Sequence, residues 1–161
     1  ADGVITYIGK EEPPIKTLNN NKYIKISIFL NIFNVHVNRI PCNGLIKNIK
    51  YYKGKFLNAS LDKSSQYNEK NILSLEKENG ESIFIVQIAG LIARRIVCDI
   101  KENQSVLQGS KFGIIKFGSR VDLYMPDHYK PLVAVGQTLL AGETIIANPN
   151  DIKEITNGIR I

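Results

Sequence analysis

The sequence predicts a single, mainly β domain over residues 1–161, a β-sandwich of the barrel-sandwich-hybrid kind with at most one or two short helices. Three observations predict it. Ile24, Ile26, Ile28 and Leu30 alternate with Lys25, Ser27 and Asn31, the period-2 pattern of a half-buried strand. Ile83–Ile88 is a short, branched, continuous apolar run, as expected of a strand covered on both faces. Gly44, Gly54, Gly80, Gly109, Gly136 and Gly142 punctuate these runs as turns or bulges.

Taken in order, Ala1–Asp2–Gly3–Val4 leads straight into a strand and reads as the interior of a longer protein whose upstream segment is missing. After the alternating strand, Asn31–Arg39 continues it with unusually polar character. Ala59–Leu75 is the best helical candidate, weakened by Ser60, Ser64, Ser65 and Asn68. Ile114–Met125 alternates again and reads as one amphipathic strand. Val133–Ala147 places apolar triplets around Gly136 and Gly142 in the manner of tight hairpins, and Thr144–Ala147 ends it as a short strand. Val106–Ile115 has a similar cadence, so a folded-over internal duplication is an open reading. Asn19–Asn21, Asn148–Asn150 and the tail after Asp151 read as loops.

Composition excludes more than it selects. With 43% hydrophobic and 22% charged residues the chain is an ordinary globular one. Cys42 and Cys98 have no zinc-like or CxxC spacing and read as buried spectator thiols of a reducing compartment. No apolar run approaches the length of a membrane-spanning helix, and no signal peptide precedes the fold. The net charge of +6 is spread thinly: residues 1–118 carry 17 basic against 10 acidic side chains, and residues 119–161 carry 4 against 5. Arg94–Arg95 is the one adjacent basic pair, which argues against a nucleic-acid partner and fits an anionic membrane surface.

Few residues carry chemistry. Within Ile114–Met125, Ser119 falls on the side of Ile115, Phe117, Val121, Leu123 and Met125, directly after Gly118. It reads either as a small residue filling a tight core position, with Gly118 forming a bulge, or as a shielded nucleophile. His36 reads either as a hydrogen-bonded structural residue or as a proton-transfer group. His128 lies in the loop Pro126–Pro131 and reads as solvated, and Asp2 before Gly3 reads as a turn residue. No His, Cys or carboxylate cluster has metal-ligand spacing, so no metal is expected. Neither a P-loop nor a GxSxG elbow occurs.

Taken together, several segments resemble phosphatidylserine decarboxylases of the short bacterial form. Asp2–Ile5, Phe29–Pro41 with its histidine, Gly54–Ala59, Tyr67–Asn71, Val86–Cys98 and Phe112–Tyr124 are each similar to a block of that family, in the family's order, and Gly136–Ala147 resembles its closing hairpins. The resemblance implies a proenzyme that cuts itself between Gly118 and Ser119, giving a β chain of residues 1–118 and an α chain of residues 119–161. Ser119 would be the nucleophile and would become a covalent pyruvoyl cofactor. That group would decarboxylate phosphatidylserine to phosphatidylethanolamine through a Schiff base. His36 would be the proton donor or base, and Asp2 would orient or assist it. One departure is visible: better-known members carry a second histidine three residues after the first, where this chain has Arg39.

The same resemblance implies a peripheral protein on the cytoplasmic face of the bacterial cell membrane, with the two chains of one precursor as partners and a homodimer as a further arrangement. Phe29–Phe33 and Tyr51–Phe56, where aromatics mix with lysines, are the candidates for contact with lipid. A decarboxylase of another serine-headed lipid is the nearest rival. A non-processing binding module is the other, although Val133–Ala147 contains no lysine on which a carrier group would ride.

Overall fold

Branched side chains at alternate positions build a pair of long antiparallel strands from the first thirty residues, Gly3–Glu11 (β1) and Tyr23–Leu30 (β2). The structure, a computed structural model, describes residues 1–17, 22–61, 64–92, 95–116 and 118–149. Strands Val37–Arg39 (β3) and Gly44–Tyr52 (β4) follow, then one helical turn, Ser64–Tyr67 (α1). Strands Lys70–Glu76 (β5), Ser82–Ile88 (β6), Arg95–Cys98 (β7), Ser105–Val106 (β8) and Lys111–Lys116 (β9) come next. The chain then forms Ser119–Pro126 (β10), Lys130–Pro131 (β11), Thr138–Leu139 (β12) and Ala147–Asn148 (β13).

Eight strands make one antiparallel sheet in the order β12-β1-β2-β10-β6-β5-β4-β8, and β3-β9-β7 make a second. One face of the large sheet presents Ile26, Ile28, Leu30, Leu73, Leu75, Val121, Leu123 and Met125, and the small sheet lays Phe112 and Ile115 onto it. Removing these branched side chains from water stabilises the sandwich by about 1.5–3 kcal/mol each. The other face carries a second cluster of Tyr23, Ile72, Phe84, Val86, Ile88 and Tyr124, against which Ile15 packs. The mainly β, single-domain sandwich expected from the sequence is therefore the fold.

Local readings fared unevenly. The helix expected over Ala59–Leu75 is reduced to α1, and Lys70–Glu76 is a strand paired on both sides, to β4 and β6. Polar side chains take the backbone groups a helix would need: Ser64 Oγ donates to Ala59 O, and Asn68 Nδ2 donates to Leu57 O and Ala89 O. Ile72 and Leu73 then face opposite clusters, a period of two. The single strand expected over Ile114–Met125 is two strands in different sheets, β9 and β10. The closing strand begins at Ala147 and not at Thr144, because Thr144 Oγ1 accepts from Leu140 N and the backbone amide of Thr144 donates to Leu140 O, bending the chain there. Gly80, Gly109, Gly136 and Gly142 do make left-handed turns, whereas Gly44 opens β4 and Gly54 lies against the backbone of residues 67–69. The readings at Asn19–Asn21, at Asn150 and beyond Asp151 lie outside the described residues.

The polar side of β10 is also covered. Arg120 and Asp122, 2% and 1% exposed, form a fork-on-carboxylate pair with Arg120 Nε to Asp122 Oδ1 at 2.6 Å and Nη2 to Oδ2 at 2.9 Å. Arg120 also donates to Leu61 O, Ser64 Oγ and Ser65 Oγ, tying the β4–β5 connection to the middle of the large sheet. Arg120→Met leaves Asp122 buried with Lys25 at 3.8 Å as its remaining ion partner. Breaking a buried pair in this way is expected to cost about 3–5 kcal/mol; urea unfolding of variant and parent checks it.

Candidate active site

Between β9 and β10 the chain leaves the small sheet and enters the centre of the large one. Gly118 makes that corner with φ at +68°, a left-handed conformation that a side chain would resist. Ser119 is the first residue of β10, paired with Leu30 of β2 and 0% exposed. Its face is the one predicted, with Val121, Leu123 and Met125. Its hydroxyl oxygen makes no hydrogen bond among the described residues. A buried hydroxyl without a partner costs about 1–3 kcal/mol, and among the described residues Ser27 of β2 shares this state with Ser119.

Two neighbours hold the corner. His36 lies in the connection from β2 to β3. Pairing of Val37 with Ile114, and the bond from Ile115 N to His36 O, set the histidine beside the end of β9. There the Gly118 amide donates to His36 Nε2 at 3.1 Å. An accepting Nε2 places the proton of the neutral ring on Nδ1. His36 is 3% exposed, and burial lowers its pKa below the ordinary 6.5 against an opposing hydrogen bond with the Asn34 backbone. On the other side Gly90, just beyond β6, takes the Gly118 carbonyl: a Cβ built on Gly90 would lie 1.8 Å from that oxygen and 3.2 Å from Ala59 Cβ. Only a residue without a side chain admits the carbonyl there.

The other sequence candidates are placed as follows. Asp2 precedes β1 at the same end of the large sheet, since Val4 pairs with Phe29 and Ser119 with Leu30. Its Oδ1 accepts from Ala141 N at 2.8 Å, so it secures the closing hairpin to β1. Arg39 donates from Nη1 to Gly109 O at 2.7 Å and lines a cavity of about 380 Å³ together with Cys42, Lys77 and Tyr129; neither His36 nor Ser119 belongs to that cavity. His128 is half exposed and bonds Glu81 at 2.8 Å. Both cysteines are free thiols, half-buried, and burial raises their pKa. Sequence reading missed Gly90, Ala59 and the Arg120–Asp122 pair as parts of the site's frame. The signal for Gly90 was present, a glycine two residues past a strand that is apolar apart from Ser82 and Gln87.

Fold and site together define a β-sandwich protein built around a buried glycine–serine corner with a neutral histidine on its amide. Residues 1–147 match the family described as phosphatidylserine decarboxylase. Among similar proteins is the phosphatidylserine decarboxylase proenzyme of Rickettsia bellii (strain OSU 85-389), 57% identical over 149 residues. Those of Rickettsia typhi (strain ATCC VR-144 / Wilmington) and Rickettsia prowazekii (strain Madrid E) are 55% identical over the same length. In each case the alignment covers 92% of this chain and 64% of the relative, so the chain spans just under two thirds of the length of these proteins. No solved structure matches it. The chain belongs to the phosphatidylserine decarboxylase family.

Two outcomes follow from the corner. Gly90→Ala is expected to push the Gly118 carbonyl off its seat and to destabilise the fold by about 1–3 kcal/mol, the usual cost of overpacking, as read by thermal melting. Stability should also depend on His36. Its folded pKa is lowered, so below 6.5 the unfolded chain binds more protons than the folded one. The contribution of the neutral ring is complete above pH 6.5 and is lost as pH falls from there through the folded pKa. Urea midpoints measured across that window should decline for the parent and flatten for His36→Gln.

Proposed function

We propose that the chain carries the self-processing and catalytic centre of a pyruvoyl-dependent phosphatidylserine decarboxylase, and that processing occurs between Gly118 and Ser119. The observation that carries this reading is the unbonded hydroxyl of Ser119, buried beside a left-handed glycine whose amide bonds a neutral histidine. Such a site excludes water, which would otherwise divert an ester to plain hydrolysis.

Ser119 Oγ attacks the carbonyl carbon of Gly118, the C–N bond to Ser119 breaks, and the liberated nitrogen takes the hydroxyl proton, leaving an ester. His36 moves that proton, exchanging the Gly118 amide for the Ser119 hydroxyl; burial keeps its ring neutral and able to accept. Loss of the Ser119 α-proton expels the Gly118 carboxylate from the β-carbon and leaves dehydroalanine. Tautomerisation and addition of one water release ammonia and leave a pyruvoyl end on residues 119–161.

The residues present fit this group: Ser119 supplies its carbons, and Gly118 and Gly90 leave room for the carboxylate to depart. When formed, the pyruvoyl group supplies an electron-withdrawing carbonyl that captures the serine amine and takes up the charge left by carbon dioxide. His36, whose Nε2 accepts from the Gly118 amide one residue before the new chain end, would return a proton. Asp2 helps by anchoring the closing hairpin at the same end of the sheet. Arg120 holds the second residue of the new chain to Asp122 and to the β4–β5 connection, so cleavage does not free the strand. Residues 1–118 and 119–161 stay together through the pairing of β10 with β2 and β6. The protein works peripherally on the cytoplasmic face of the bacterial membrane, singly or as a homodimer.

Intact mass of the parent should give two fragments divided after Gly118, the C-terminal one with a blocked end that gains two hydrogens with borohydride. Ser119→Ala should remain a single unreactive chain and, relieved of the unpaired hydroxyl, should be at least as stable as the unprocessed parent. A parent that stays whole while folded would overturn the proposal.

A further inference from the structure

The pairing registers place Leu30, Ser119, Ile88, Lys70 and Tyr52 at one end of the large sheet: Ser119 pairs with Leu30, Arg120 with Ile88, Ile88 with Lys70, and Lys70 with Tyr52. The connections leaving that end carry exposed large apolar side chains. Ile32, Phe33 and Val35 follow β2 and are 44%, 89% and 62% exposed; Leu61 lies between β4 and β5; Leu91 and Ile92 follow β6. These connections converge on the corner. Ile32 Cγ2 would lie 3.5 Å from a Cβ on Gly118, and Gly90 abuts the Gly118 carbonyl and Ala59. At the opposite end, the described parts of the turns around residues 12–17, 77–81 and 127–129 expose no large apolar side chain and carry Glu12, Lys77, Glu78, Glu81 and Asp127. The connections at the Ser119 pole thus expose apolar side chains together with Lys53 and Lys55, whereas these three turns at the opposite end expose charge, with Leu107 beyond β8 the exposed large apolar side chain there.

The apolar display is built, since the turn at residues 31–34 satisfies the amides of Asn31, Phe33 and Asn34 from within. Asn31 Oδ1 accepts from Phe33 N at 2.7 Å, Asn34 Oδ1 from Asn31 N at 2.8 Å, and Asn31 O from Asn34 N at 3.1 Å. A turn closed in this way can leave water without stranding its amides. Charge completes the pattern. Arg95 and Lys116 stand directly opposite each other across β7 and β9, both exposed, two residues before Gly118. Neither makes an ion pair among the described residues. Like charges in register weaken a sheet unless an anion meets them.

We propose that this pole docks on an anionic bilayer: Phe33, Val35, Leu61, Leu91 and Ile92 enter the boundary between headgroups and acyl chains, and Arg95 and Lys116 meet the lipid phosphates. The inference rests on the decarboxylase reading only for its purpose, which is to bring the corner to the headgroup layer. Apolar area gives the grip, and each basic side chain at an anionic surface adds about fivefold in affinity.

The test is sedimentation of the full chain with vesicles of phosphatidylglycerol and phosphatidylcholine, beside vesicles of phosphatidylcholine alone. Parent, Phe33→Ser/Val35→Ser and Arg95→Glu/Lys116→Glu are compared, each first shown by melting to be folded. The apolar double variant should bind both vesicles at least tenfold more weakly, and the charge reversal at least about 25-fold more weakly on the anionic ones alone. A parent that ignores vesicles, or variants that bind like the parent, overturns the docking face. So does a parent dimer, seen by ultracentrifugation without lipid, that Phe33→Ser/Val35→Ser dissociates. Release of carbon dioxide from vesicle-borne phosphatidylserine is followed in parallel. Full release by both variants preserves the decarboxylase reading and overturns the docking face, whereas a parent that binds vesicles through this face and releases none supports the face and removes the reading.

Discussion

The structure depends on one corner. After Lys116 the chain must leave the small sheet and place Ser119 between β2 and β6, in the centre of the large one. A turn that abrupt, made under both layers, needs a left-handed residue, a cavity for its carbonyl and a partner for its amide. Gly118, Gly90 and His36 supply the three. The sandwich on either side fixes all of them, since β2 leads to His36, β6 leads to Gly90 and β10 begins at Ser119.

Under the proposed reading, this arrangement lets a residue be both buried and reactive. A serine at an exposed turn would hydrogen-bond water and gain nothing from its neighbours. Ser119 is 0% exposed and its oxygen has no hydrogen-bond partner among the described residues, so under the proposed reading its hydroxyl is left available for the Gly118 carbonyl that precedes it in the chain. Burial acts on the histidine in the same direction, because a ring held neutral in an apolar setting keeps a lone pair for proton transfer. Arg120 shows the complementary use of charge. Its guanidinium is fully committed to Asp122 and three groups of the β4–β5 connection, which fixes the strand immediately after the serine.

Much of the sandwich was legible because its strands are written in local pattern. Alternation at Ile24–Leu30 and the continuous run Ile83–Ile88 became β2 and β6. Lys70–Glu76 was not legible as a strand, since Asn71, Ser74 and Leu75 are compatible with either period and only pairing on both sides selects one. The break between β9 and β10 was hidden for a similar reason. Alternation runs unbroken through it in sequence, and nothing in the residues says that the two halves belong to different sheets. Arg120 and Asp122 lie on the polar side of an amphipathic pattern, and only the tertiary structure lays the β4–β5 connection over that side.

The sequence by itself determined the β class, the face on which Ser119 lies and the short-range pairing of that serine with Gly118, because side-chain direction alternates with each residue of a strand whatever surrounds it. Resemblance of its blocks to one family determined the membership. Only the tertiary structure decided that His36 meets the Gly118 amide, that Gly90 receives its carbonyl, that Arg39 serves a different part of the molecule, and that the apolar turns share one pole. Those relations join residues as much as 82 positions apart, and distance along the chain carries no record of which strands will lie side by side.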